Sequence, residues 1–353
     1  MPSLSEWWSG TWDQLQHSPA IVPSHYQIPS AHLERPAGER FRRDKHYFTV
    51  KINRAFLRYG REYWTTYAPM ALAVSEFKYD GEDTVVPFVV GPSLLEKGQI
   101  DVPASFLFAD TKVAGKHPYK GGGLKLTVVL YGVKRTNIAE KLLRIVENLA
   151  SVIDLSQTIA SYLKIAHLLV RTVGEVIADD KDNRPIIGLR REFDADEGFN
   201  PGSFALIDSR NARIDRDKLW LRNSSLYFGE NEAALTEFNQ ANYVLYSIGQ
   251  TTERDDFEQL SPIHELWTKV KYEASVTQPD NWNNTKRIMS TLYQAMVVSP
   301  DLTEDHANEL NADFKARMVR IHEGAKEDVE HGAAAEADAL SEARREADEI
   351  MRL

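Results

Sequence analysis

The side chains that could do chemistry in this chain are scattered, and the most reactive type is missing. There is no cysteine among the 353 residues. That excludes disulfides, thiolate zinc sites, iron–sulfur clusters and a cysteine nucleophile together. The nearest approach to a glycine motif is Lys120-Gly121-Gly122-Gly123-Leu124. It matches the glycine-rich part of an oxyanion loop, yet no Gly-x-Ser-x-Gly elbow supplies the nucleophile. A phosphate loop would need Gly-Lys-Ser/Thr followed by a helix whose N–H groups face the anion, and the residues that follow read as a strand. The segment therefore reads as a flexible hairpin connection, with a surface anion site built from Lys112, Lys116, His117 and Lys120 as the alternative.

Metal sites fail on spacing. His264-Glu265 begins like a zincin helix, but the position one turn later, where a second imidazole must stand, is Thr268. A single imidazole does not hold zinc there, and no two of the ten histidines stand at that spacing. Asp179, Asp180 and Asp182 lack the glycine and the distant glutamate of a calcium loop, and read as a solvated linker. His167 lies within a helical pattern and reads as a core or interface histidine. With 52 Asp and Glu residues, no catalytic carboxylate pair can be singled out. No catalytic, cofactor-binding or metal-ligating residue is assigned, and no cofactor is expected.

One basic run stands out: Arg40, Arg42, Arg43, Lys45 and His46, then Lys51, Arg54, Arg58 and Arg61. Phe41, Tyr47, Phe48, Phe56 and Tyr59 interleave with it, as a nucleic-acid stacking platform requires. The charge argues against that partner. Residues 1–135 carry 17 Lys and Arg against 13 Asp and Glu, only +4, while the chain as a whole is at −10. Arg40, Arg42, Arg43, Lys45, Arg54, Arg58 and Arg61 are accordingly read as a basic surface for a protein. Residues 301–353 hold 15 acidic and 7 basic residues, net −8. Such opposite fields steer association between copies or with a partner. The plainer reading is two solvated surfaces.

The elements that must position these residues follow from hydrophobic periodicity. Residues 1–40 contain Trp7, Trp8 and Trp12, then Pro19, Pro23, Pro29 and Pro36, and read as an extended arm. Its tryptophans need burial on the chain's own body, on a neighbouring subunit or at a membrane interface. Residues 41–135 change to a period of two, with β-branched and aromatic runs at 46–52, 63–67, 71–77, 84–90, 105–109 and 124–131 separated by glycine turns. That pattern predicts an antiparallel β-sandwich or barrel.

Residues 136–178 carry the longest helical stripe: Ile138, Leu142, Ile145, Leu149, Val152, Ser156, Ile159, Leu163, Ala166, Val170, Val173 and Ile177. It predicts a long amphipathic helix, or two with a bend near 154–156. Lys164, His167 and Arg171 oppose membrane insertion. Residues 179–260 read as a small mixed α+β unit, including a short helix from Glu230 to Asn239. In residues 261–353, Ser261 as cap and Pro262 at the first position open a helix to about Ala274, and a second spans Trp282 to Val297. A last stripe runs Ala307, Leu310, Phe314, Met318, Ile321, Ala325, Val329, Ala333, Ala337, Leu340, Ala343, Ala347 and Met351, a helical C-terminal arm.

The expected fold class is thus α+β. The expected function is non-enzymatic self-association or binding of a protein partner. The candidate interface is Ile138, Leu142, Ile145, Leu149, Ile159, Leu163 and Val170 of the long helix, with Leu310, Phe314, Ile321 and Leu340 of the arm. Two alternatives stand beside it, a membrane-acting or pore-forming effector and an enzyme whose site is assembled from distant segments. No apolar run reaches spanning length and the start lacks the features of a signal peptide, so a cytoplasmic location is expected, with peripheral membrane contact left open.

Overall fold

A computed structural model of the chain describes residues 4–18, 25–34, 38–58, 61–62, 65–90, 106–134, 183–194, 199–210 and 213–350. The chain divides into two units, Met1–Arg254 and Asp255–Leu353. The described residues form a mixed α+β fold with antiparallel sheets and four helices.

In the first unit the period-two runs become strands because alternate residues must meet a core on one side only. They are β1 (His25–Gln27), β2 (Tyr47–Phe56), β3 (Arg61–Glu62), β4 (Thr65–Tyr79), β5 (Glu82–Val90), β6 (Phe106–Pro118), β7 (Leu124–Lys134), β8 (Asn183–Phe193), β9 (Gly202–Ile207), β10 (Leu219–Arg222), β11 (Ser225–Phe228), β12 (Thr236–Glu237) and β13 (Tyr243–Thr251). One sheet has the order β1-β9-β13-β2-β6, and a second has β3-β4-β7-β8 with β5 on β4. Phe48, Val50 and Ile52 of β2 and Val244, Tyr246 and Ile248 of β13 share one buried cluster with Ala71, Ala73 and Phe77 of β4 and Leu124, Leu126, Val128 and Leu130 of β7. Two sheets facing one core make a sandwich-like arrangement. Burying each such Leu, Ile or Phe stabilises the fold by about 1.5–3 kcal/mol. Part of the other face of the first sheet, around Phe56, Ile207 and Leu245, is covered by a three-stranded sheet, β10-β11-β12, through Leu219, Leu226 and Phe238.

Several local expectations change here. Of the strands within 179–260, β8, β9 and β13 belong to the two large sheets, while β10, β11 and β12 make the three-stranded sheet: β8 pairs β7 from Leu124↔Phe193 to Val133↔Asn183, and β13 lies between β9 and β2. Residues 230–239 form a 3₁₀ turn, Glu232–Ala234, followed by β12 instead of a helix. Asn231 caps that turn by accepting from the Ala233 N–H, a local bond that competes with α-helix. The glycines 121 and 122 have φ of +88° and +80°, as a turn demands. They do not close a hairpin, because β6 belongs to the first sheet and β7 to the second. A glycine turn reveals a reversal, not which strands it joins.

Part of the N-terminal segment is helix α1 (Leu4–Leu15) rather than extended chain. Trp8 is buried at 2% exposure. Its indole N–H donates to Glu76 Oε1 at 3.0 Å, while Arg190 donates to Glu76 Oε2 at 2.8 Å and lies 5.5 Å over the Trp12 ring. This helix is therefore fixed to the sandwich's own strands by one carboxylate shared between an indole and a guanidinium.

In the second unit α2 (Ile263–Ala274), α3 (Pro279–Val297) and α4 (Glu304–Ile350) share a core. Trp267 lies 4.3 Å from Phe314, and Arg317 covers Trp267 at 4.9 Å while bonding Glu258 at 2.5 Å. Pro262 occupies the cap position of α2 after a cis Ser261–Pro262 peptide, one residue earlier in the helix frame than the sequence pattern implies. Among the described residues the packed side of α4 runs from Ala307 to His322, whose Nδ1 donates to the Ala274 carbonyl at 3.1 Å and whose ring stacks on Trp282 at 4.1 Å. Among the described residues no helix is long and apolar enough to cross a membrane. The 136–178 stripe, with Ile138, Leu142, Ile145, Leu149, Ile159, Leu163 and Val170, lies outside the described residues.

Candidate interaction surfaces

The basic run does not stand on one face. Arg42 pairs with Glu39 at 3.2 Å, Arg43 with Asp44 at 3.1 Å, and Lys45 lies 3.9 Å from Glu39. Lys120 takes the other Asp44 oxygen at 2.9 Å. Arg40 and Arg58 are exposed, and Arg58 donates to the Gln240 carbonyl at 2.5 Å. Arg61 lies in β3, and its side chain is not described. Arg54 leaves the surface altogether. Its side chain is 4% exposed, 2.7 Å from Glu237 and bonded to the Ser225 hydroxyl. The register shift between Ile52 and Arg54 breaks the strand's alternation and turns Arg54 to the face of Phe56, under the three-stranded sheet, where a buried guanidinium requires a carboxylate and a further acceptor.

The anion site expected beside the glycine loop changes in the same way. His117 is fully buried between Phe48 and Phe77, with ring centroids at 5.5 and 4.9 Å. Burial, reinforced by the nearby Arg254 charge, pushes its pKa down to about 3, so it is neutral and offers an anion no positive charge.

The ladder instead makes a pair that the sequence separates by sixty residues. Lys51 of β2 and Lys112 of β6 are direct partners across the strands. Their neighbours Val50, Ile52 and Val113 belong to the core, so both lysines stand on the opposite face. Across the other ladder Lys51 meets the neutral Ser247. Neither lysine has an ion-pair partner among the described residues. Like charges directly opposed on a sheet destabilise it. Lysines on edge strands serve to discourage edge pairing, but β2 has β13 on one side and β6 on the other, so that role does not account for Lys51.

The acidic counterpart is on α4. Forty-seven residues at about 1.5 Å each make a helix of about 70 Å, while α2 and α3 have 12 and 19 residues. A Cβ built at Gly324 would meet nothing within 4 Å. Lys326 to His331 are all exposed, Val329 at 55%. Residues 326–350 carry nine acidic and three basic side chains, net −6. Glu327, Asp328 and Glu330 have no ion pair among the described residues. Of the arm residues named from the sequence, Leu310 and Phe314 are core of the helical unit and Ile321 packs against it; the Leu340 side chain is not described.

Two other polar groupings have partners within the fold. Arg191 donates to His25 Nδ1 at 2.6 Å, which leaves the proton on Nε2 to be donated to the Tyr246 hydroxyl, also at 2.6 Å. Burial and the Arg191 charge push the His25 pKa down to about 3. The imidazole ties strand β1 to the sheet through a buried phenol at 1% exposure that no substrate reaches. A cleft of about 270 Å³ is lined by Glu76, Lys78, Asp83, Lys125 and Glu192 among others. Glu76 is committed to Trp8 and Arg190, and Lys125 and Glu192 stand 3.7 Å apart. No group of three potential metal-binding His, Asp or Glu side chains occurs among the described residues. Compared with protein-family models, curated proteins and solved structures, the chain finds no match.

Proposed function

We propose that this protein is an association module, working by contact with another protein chain rather than by chemistry on a small substrate. The observation that carries this reading is α4, whose described packed side chains lie between Ala307 and His322 while its helix continues to Ile350 and presents an exposed acidic turn at Glu327–Glu330 with no ion pair among the described residues. Most of a helix's stability in proteins comes from packing of one of its faces, so covering the exposed turn with a partner would stabilise the helix.

Ending the chain after Gly324 tests the reading. The shortened protein keeps every described residue of the three-helix core, so its melting transition should survive. Its mass by sedimentation equilibrium should fall from that of the associated species to that of one chain. An unchanged mass would contradict the reading.

A further inference from the structure

We infer that the receptor for the acidic half of α4 is the Lys51–Lys112 face of a second copy of this chain. The inference rests on the reading of α4 as an association helix and names its partner. Two observations meet in it. The first sheet holds two opposed ammonium groups, one on an interior strand, with no counter-ion among the described residues. The fold accepts that repulsion, and a carboxylate laid between the two lysines removes it. The helix presents Glu327, Asp328 and Glu330 within one turn, exposed and likewise without ion pairs among the described residues. Two acidic arms would repel each other, whereas arm and lysine face attract. The contact joins different patches on the two copies. It is therefore head-to-tail and extends into chains unless the rotation closes a ring.

A charge exchange in the full chain tests it. K51E/K112E and E327K/D328K/E330K should each raise the apparent dissociation constant of assembly roughly tenfold or more. Mixing the two variants should restore wild-type assembly, since each supplies the charge that the other now requires. Lys112→Glu alone guards against simple misfolding: it places opposite charges across the ladder, so its melting temperature should hold or rise while assembly weakens. If K51E/K112E assembles like the wild type, while the chain ended at Gly324 does not, the receptor lies elsewhere and the inference falls with the association reading intact. If the chain ended at Gly324 keeps its mass, the reading itself fails.

Discussion

Individual residues in this protein are decided by their neighbours across a ladder rather than along the chain. Lys51 and Lys112 become a pair only through the β2–β6 register, which is shifted near Val50, and no sequence period announces that. Arg54 looks like any member of a basic run until β11 and β12 close over it. The buried histidines give a measurable consequence. His25 and His117 have folded pKa values of about 3 against a reference of 6.5, so below 6.5 the unfolded chain binds protons that the folded chain refuses. Their contribution to stability is full above about 6.5 and is lost progressively as the pH falls toward 3. Urea unfolding of the wild type and of His117→Phe from neutral to acid pH should show the variant losing less stability over that window. Parallel pH curves would mean that His117 is not held neutral in the core.

At the scale of elements, what was legible was local and what was hidden was pairing. The alternation in 46–52, 71–77, 84–90 and 124–131 marks β2, β4, β5 and β7 because each has one face in the core, as Leu124, Leu126, Val128 and Leu130 do. The stripe from Ala307 to Ile321 marks the packed part of α4 for the same reason. β8, β9 and β13 carry equally good strand signals, but nothing in a short apolar run says that it will join strands a hundred residues away. Tryptophans followed by a proline-rich stretch concealed α1, because its helix is held by a distant carboxylate, Glu76, and by Arg190. Trp8→Ala should therefore cost about 3–5 kcal/mol of local stability, the usual range for removing a buried tryptophan. Hydrogen exchange would read it as lost protection in Leu4–Leu15, with α2 and α3 unchanged; full protection of that helix in the variant would mean that Trp8 does not anchor it.

For the whole molecule, function is less legible than fold because the candidate surfaces are made of ordinary residues, lysines and carboxylates, whose meaning lies in where register and helix length put them. The basic front and acidic back visible in composition are an outline of the proposed contact, but the front that matters is two lysines on adjacent strands rather than the run from Arg40 to Arg61. Exposed charges that hold copies together weaken as salt screens them, because the Debye length shrinks from about 10 Å at 0.1 M to about 3 Å at 1 M. The most direct measurement is the absolute mass in solution by multi-angle light scattering, at low and at high salt, across a range of protein concentrations. Assembly through these charges gives masses above that of one 40.1 kDa chain at low salt, rising with concentration and falling toward that value as salt is added. A mass of one chain under all these conditions, or an oligomer indifferent to salt, would contradict it.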